Sequence, residues 1–390
     1  MIRLLFIFGT RPEAIKLAPL IKYCQKQIGL LDVKVCVTGQ HRELLDHVLD
    51  FFDIEPDYDL KIMRPNQTLF GVTSDGIELL EDVLDDAKAG CVIVQGDTTT
   101  AFVGALAGFY KQAKVAHVEA GLRSHNKFSP FPEDMNRQLV SRLADYHFAP
   151  TEANAKNLFS EGIRDKVWTV GNTVIDAIHL GLKYIGERGD QDYRRFFGFL
   201  DFSKKIILVT VHRRESFGKP FHDVLLALKD IAHQHGDVEL VYPVHLNPNI
   251  RQPAQELLRG EKNIYLIEAI QYPHLVWLLN QSHFVLTDSG GIQEEAPSLG
   301  KPVLVLRDVT ERTEGIQAGT AKLIGTDRSR IVSEANRLLQ DPGNYRQMAT
   351  AVNPYGDGKT SEKICEILCG ELNGAASSEK NLRIAGSVPA

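Results

Sequence analysis

Short β-branched runs alternate with longer amphipathic stretches along almost the whole chain, and that alternation leaves few folds open. Runs of this length, separated by helical periodicity, are the pattern of a parallel sheet covered by helices on both faces. In the first half the expected strands are Leu4–Phe8, Val33–Val37, Cys91–Gln95, Val115–Val118 and Tyr146–Ala149. In the second they are Ile206–Val211, Leu240–Val244, Ile264–Ile267, Phe284–Thr287, Val303–Leu306 and Leu323–Ile324. Between the two sets Gly186–Lys205 is charged, glycine-punctuated and without a strand. The fold class is therefore α/β, with two doubly wound, Rossmann-like units expected to face a central cleft. The units divide as 1–170 and 171–359, with a helix at about 360–370 able to pack back on the first. Residues 371–390, rich in Ala, Ser and Gly, read as a disordered tail.

A chain of 390 residues is too long for one core, and 43% hydrophobic content supplies enough apolar surface for two. Lys and Arg number 44 against 50 Asp and Glu, a net charge of −6 without a basic block, which disfavours nucleic acid as a partner. The opening apolar run Leu4–Phe8 is far shorter than a membrane span and reads as a buried strand. Five cysteines, Cys24, Cys36, Cys91, Cys365 and Cys369, have no CxxC spacing and no His or Cys pair to complete a zinc set. They read as reduced thiols of a cytoplasmic protein, with no metal site and no membrane association.

The loops after the strands carry the polar chemistry. "DSGGIQEEAPSLGKPVL" follows the strand Phe284–Thr287, so Ser289, Gly290 and Gly291 occupy a strand-to-helix turn. Bare amides and the helix dipole there favour a phosphate. The competing reading is an N-cap, with Asp288 or Ser289 accepting from the first turn and Glu294 and Glu295 complementing the dipole. A carboxylate one turn into the helix, Glu295, can instead accept from a ribose diol. "FGTRPEAIK" places Arg11 and Lys16 near a helix start, where cations do not serve the dipole and suggest an external anion; Lys16 on a solvated face is the alternative. The absence of GxGxxG and of GxxxxGK[ST] argues against a dinucleotide site and a P-loop. Asp97 and Glu119 fall at strand C-termini, the edge where doubly wound sheets bind ligands. Asp97 serves equally as a helix cap, whereas Glu119, flanked by apolar residues, needs a partner. Glu133 sits in a first helical turn, where capping is the stronger reading. His212 with Arg213 and Arg214 at a strand end forms an anion grip, while His245 and Arg312 are open to structural roles.

Taken in order, "FGTRPEAIK", "TGQHRELLD", "GDTTT", "HVEAGLRS", "GNTVIDA", "HRRESFG", "YPVHLNPN", "TDSGGIQEEAPSLGKPVL" and "NPYGDG" resemble the motifs of the bacterial non-hydrolysing UDP-N-acetylglucosamine 2-epimerases, from residue 2 to about 368. The resemblance implies a GT-B fold and a homodimer. It also implies reversible conversion of UDP-GlcNAc to UDP-ManNAc, feeding cell-surface polysaccharide, with neither metal nor other cofactor. It further implies that Asp97, Glu119 and Glu133 are acids and bases around the sugar, and that Lys16 and His212 belong to the catalytic and diphosphate-binding set. Arg11 would lie near the phosphates, Ser289, Gly290 and Gly291 on the diphosphate, Glu295 on the ribose and Arg312 in the cleft. An activating second UDP-GlcNAc site would involve Gln40, Arg213 and His245. Glu43, Asp134 and Asn66 stand where the family commonly carries a further acid or amide, and "ERTE" replaces the more usual "ERPE". A glycosyltransferase using a UDP-sugar, a hydrolysing epimerase and a silent nucleotide-sugar sensor are the rival readings.

Overall fold

The computed structural model describes residues 1–39, 42–64, 67–213 and 217–385. Its strands are β1 Ile2–Phe8, β2 Leu31–Val37, β3 Tyr58–Asp59, β4 Cys91–Gln95, β5 Lys114–Val118, β6 Tyr146–Ala149, β7 Val167–Thr169, β8 Lys205–Thr210, β9 Val238–Pro243, β10 Ile264–Ile267, β11 Phe284–Thr287, β12 Val303–Val305 and β13 Ala321–Leu323. They form two sheets, ordered β3-β2-β1-β4-β5-β6-β7 and β10-β9-β8-β11-β12-β13. Every pairing is parallel. Central strands of such sheets are covered on both faces, which is why β1 and β4 read as continuous apolar runs and why Leu4 to Phe8 and Cys91 to Val94 are buried throughout.

Two compact units result. One comprises Met1–Ala177 with the C-terminal segment from Gly356, the other Ile178–Tyr355. The division falls inside the helix Thr173–Arg188, a few residues beyond the position 170 expected from the sequence. The return of the C-terminal segment has a local cause. Asp176, just ahead of the division, accepts from the amides of Thr360 (3.2 Å) and Ser361 (2.6 Å), where the helix Thr360–Ala385 begins. A carboxylate at that end satisfies orphan amides and complements the dipole. The helix then packs against the helix Arg11–Gln25. It continues to Ala385, through residues placed in a disordered tail from composition; Glu371, Leu372, Ala375 and Ala376 are good helix formers.

Strands β3 and β7 were not expected. Each has two or three residues and sits at an edge of the first sheet, too short to show a period. In each sheet the order reverses next to the first strand, between β1 and β4 and between β8 and β11. Loops leaving neighbouring strands in opposite directions open a crevice at the carboxyl ends, and this is where such sheets hold ligands. Among the described residues no helix is long and apolar enough to cross a membrane.

Candidate active site

In the first unit the loops after β1 and β4 are tied together by a buried carboxylate. Glu13 Oε2 accepts from the amides of Gly9 (3.1 Å) and Thr10 (2.8 Å) and from the Thr10 hydroxyl (2.7 Å), and Oε1 accepts from the Thr98 hydroxyl (2.6 Å). Thr10 and Glu13 form a capping box at the start of the helix Arg11–Gln25. Burial pushes the Glu13 carboxyl above its ordinary range and these hydrogen bonds pull it back part of the way. His117, buried on β5, holds the β4 loop from the other side, its Nε2 2.8 Å from the Gly96 carbonyl oxygen. Burial brings its imidazole down to about 3, so the ring is neutral and donates.

Glu119 leaves the end of β5 with a left-handed backbone, φ +65, and is almost fully buried. A glutamate in that region costs about 1–3 kcal/mol, a strain that concentrates at functional sites. Its Oε2 is ion-paired with Lys16 and accepts from Gln95 Nε2 at 2.7 Å. Lys16 is therefore committed to a carboxylate 103 positions away, and the solvated-face alternative falls. Asp97 is ion-paired with Arg137, and its carbonyl oxygen accepts from Asn136 Nδ2 at 2.9 Å. The cap of the following helix Thr99–Tyr110 is Thr98, whose hydroxyl oxygen accepts from Ala101 N at 3.0 Å, so Asp97 is not a cap. Glu133, Asn136 and Arg137 are spaced i, i+3, i+4 on the helix Glu133–Leu143 and share a face. The grip on Asp97 thus brings Glu133 to the same sheet edge. Glu133 makes no capping bond: its Oε2 is buried without a hydrogen-bond partner among the described residues. Arg11 is half-buried at the start of its helix and forms no ion pair among the described residues.

In the second unit Asp288 does not cap the helix Gly290–Ser298. It is wholly buried and accepts instead from the amides of His212 and Arg213, both at 2.8 Å, joining the β11 loop to the β8 loop. Ser289 occupies the N-cap without a side-chain bond to the first turn. A Cβ added to Gly290 would lie 3.5 Å from Arg312 Cζ, and one added to Gly291 would lie 3.7 Å from Glu295 Oε2. The glycine turn is thus flanked by a guanidinium and a carboxylate. Glu294 does not serve the dipole, because it pairs with Arg312 Nε at 2.8 Å. The rings of His212 and His245 stack, their centroids 5.8 Å apart.

The chain as a whole is similar to known proteins. A family model for UDP-N-acetylglucosamine 2-epimerase matches residues 24–369. The UDP-N-acetylglucosamine 2-epimerase of Escherichia coli K12 is 50% identical over 94% of this chain and 98% of its own. The chain belongs to the UDP-N-acetylglucosamine 2-epimerase family. The crystal structure of the Neisseria meningitidis family member bound to UDP-GlcNAc is 49% identical, covers 94% of this chain and 99% of its own, and superposes with a TM-score of 0.86. That of the Methanocaldococcus jannaschii member in complex with UDP-GlcNAc and UDP is 34% identical over 94% and 99%, with a TM-score of 0.76. The two doubly wound parallel sheets are the GT-B-like fold of these epimerases.

Within this family member the structure groups Lys16, Asp97, Glu119 and Glu133 on the first sheet's carboxyl edge, with Arg11 at the start of the helix that carries Lys16. It groups His212, Arg213, His245, Ser289, Gly290, Gly291, Glu295 and Arg312 on the second. Gln40 and Asn66 lie outside the described residues, as does the side chain of Glu43. Asp134 is held inside by Ser124 and Gln138 and is structural. Sequence reading missed Glu13, Gln95, Asn136, Arg137 and Glu311. The Thr-x-x-Glu spacing of a capping box could have found Glu13; nothing local announces the others.

Glu311 gathers Arg307 (2.9 Å), Arg312 (3.3 Å) and Arg213 (3.5 Å). Burial raises its carboxyl, but Arg312, its own backbone, Arg307 and Arg213 outweigh that and bring it from near 4.5 down to about 2. A depressed folded-state value stabilises the fold above the ordinary carboxylate range and is lost as pH falls through the folded value. Wild-type stability should therefore fall more steeply than that of Glu311→Gln between about pH 4.5 and 2. Denaturant unfolding across that window checks it, and parallel curves would show that the arginines do not act through Glu311.

Proposed function

We propose that this chain interconverts UDP-GlcNAc and UDP-ManNAc by elimination and readdition of UDP, without net hydrolysis, and works as a cytoplasmic homodimer supplying ManNAc-type units for surface polysaccharide. No carbonyl acidifies the C2 hydrogen of the hexose, so a carboxylate alone does not remove it readily. Cleavage of the C1–O bond, its electrons leaving with UDP, makes C1 electron-deficient and C2–H acidic. A carboxylate takes that proton and the C–H electrons form a C1–C2 double bond. Return of a proton to the other face of C2, with the diphosphate oxygen re-forming its bond to C1, gives the epimer.

The observation that carries this reading is the set of three carboxylates on one sheet edge, two of them each matched to a cation, Glu119 to Lys16 and Asp97 to Arg137, and the third with a buried oxygen that has no hydrogen-bond partner among the described residues. Groups on two faces of a ring need separate acid and base roles, each typically contributing about 10²–10⁴-fold. The second unit offers what a leaving diphosphate needs: helix-start amides, Arg312 and His212. On this reading Arg11 serves the phosphates, Lys16 belongs to the catalytic set and Glu295 holds the ribose. His245 and Arg213, adjoining His212, fit an activating nucleotide-sugar site.

A glycosyltransferase would use the same phosphate turn but has no need of the carboxylates. Incubation with UDP-GlcNAc alone in D₂O separates the readings. Deuterium at C2 of both sugars with no accumulation of UDP in the ³¹P spectrum is expected. Stoichiometric UDP would indicate the hydrolysing reaction, and an unlabelled sugar would overturn epimerisation.

A further inference from the structure

Asp288 carries two oxygens in different circumstances. Oδ2 takes the amides of His212 and Arg213, while Oδ1, equally buried, has no hydrogen-bond partner among the described residues and lies 3.3 Å from Nδ1 of His212. A buried carboxylate oxygen left without a donor is costly, and a proton on Nδ1 is the one placed to serve it. The surroundings hold this geometry: the Tyr242 hydroxyl donates to the Val211 carbonyl at 2.6 Å, and the Thr210 and Thr287 hydroxyls meet at 2.6 Å across β8 and β11. With Nδ1 turned inward, Nε2 is left for the ligand side, consistent with a ring that stays two-fifths exposed.

We propose that Asp288 is the positioning residue of a proton-uptake dyad, in which His212 is neutral in the free enzyme and takes a proton from solvent on Nε2 when the diphosphate of a uridine nucleotide binds. The inference rests on the diphosphate reading above. The charged and titratable groups facing His212 among the described residues are Asp288, His245 and Arg213, and Arg213 is itself turned toward Glu311 at 3.5 Å. Burial, His245 and Arg213 lower the imidazole below its ordinary value and Asp288 raises it, leaving the free ring neutral near pH 7. A bound diphosphate brings two or more negative charges to the other nitrogen and reverses that balance. The imidazolium then faces the phosphate as C1–O cleavage adds charge to the leaving group, and Nε2 releases its proton to solvent when the nucleotide departs.

The test uses the full chain labelled with [¹⁵N]histidine, with UDP as the probe and His212→Gln to assign the resonance. In the free enzyme near pH 7 the His212 signals should be those of a neutral ring protonated on Nδ1, and saturating UDP should convert them to imidazolium at unchanged pH. Titrations from pH 6.5 to 8.5 supply the second readout. The wild-type Kd for UDP should weaken by up to about tenfold per pH unit relative to His212→Gln, the difference removing the ionisation of UDP's own terminal phosphate. Asp288→Asn should lose the Nδ1 preference and most of this pH dependence; if it does not fold, the wild-type and His212→Gln measurements decide. UDP binding with an unchanged neutral His212, equal slopes in the two proteins, or an Asp288→Asn protein that retains full uptake would each overturn the proposal while leaving the epimerase reading intact. Failure of UDP to bind the wild-type chain at all would instead overturn the diphosphate reading.

Discussion

Glu119→Gln should lower turnover of UDP-GlcNAc by about 10²–10⁴-fold, the range for loss of one positioned acid or base. The substitution keeps shape and an acceptor for Gln95 Nε2, now 2.7 Å from Oε2, but removes the charge that faces Lys16. On the proposed reading the loss should fall on kcat more than on KM, because the glycine turn assigned to the diphosphate lies on a different loop. Lys16 side-chain exposure is only 16%, so loss of the charge facing it should also cost stability, though less than at a fully buried site. Steady-state kinetics with an unfolding curve on the same preparation separates the two effects. A folded Glu119→Gln enzyme within tenfold of wild type would remove Glu119 from the chemistry.

The largest effect on stability is expected two residues further along. Gly121 has φ +88, and a Cβ built there would stand 2.2 Å from the Asn154 carbonyl oxygen and 2.8 Å from its carbon. Both are backbone atoms, and Asn154 lies in the helix Glu152–Ser160, so neither side can move cheaply. Gly121→Ala combines a disfavoured backbone with overpacking, mechanisms that together cost about 3 kcal/mol or more. Urea unfolding should show a clearly lowered midpoint, with activity falling as well because the displaced segment carries Glu119. An unchanged midpoint would mean that the Gly121–Asn154 approach leaves room for a methyl group.

Why some of this was legible in the sequence and some was not follows from the range of the forces involved. β1, β4, β8 and β11 announce themselves because burial on both faces demands apolar residues at every position. β3 and β7 are made by edge pairing alone and leave no pattern. The glycine turn and the residues at strand ends are local features, and so they were found. What decides their roles is not local. Asp97 reads as a cap or an acid until Arg137, forty positions on, is seen to hold its carboxylate while Thr98 does the capping. Asp288 likewise reads as a cap until its Oδ2 is found on the amides of a loop 75 residues earlier. Lys16 is a solvated lysine by prior expectation and becomes a partner of Glu119 only through the adjacency of β1, β4 and β5.

On the proposed reading, breakage of the C1–O bond during turnover is the step that the acids, the cations and the helix-start amides serve. UDP-GlcNAc carrying ¹⁸O in the bridge between C1 and the β-phosphorus reports on it directly. Partial turnover in D₂O should scramble that label into the non-bridging β-phosphate oxygens of the recovered nucleotide sugar, in step with deuterium entry at C2. Deuterium entry with the ¹⁸O retained wholly in the bridge would show that C2 is deprotonated without departure of UDP, and would contradict the mechanism.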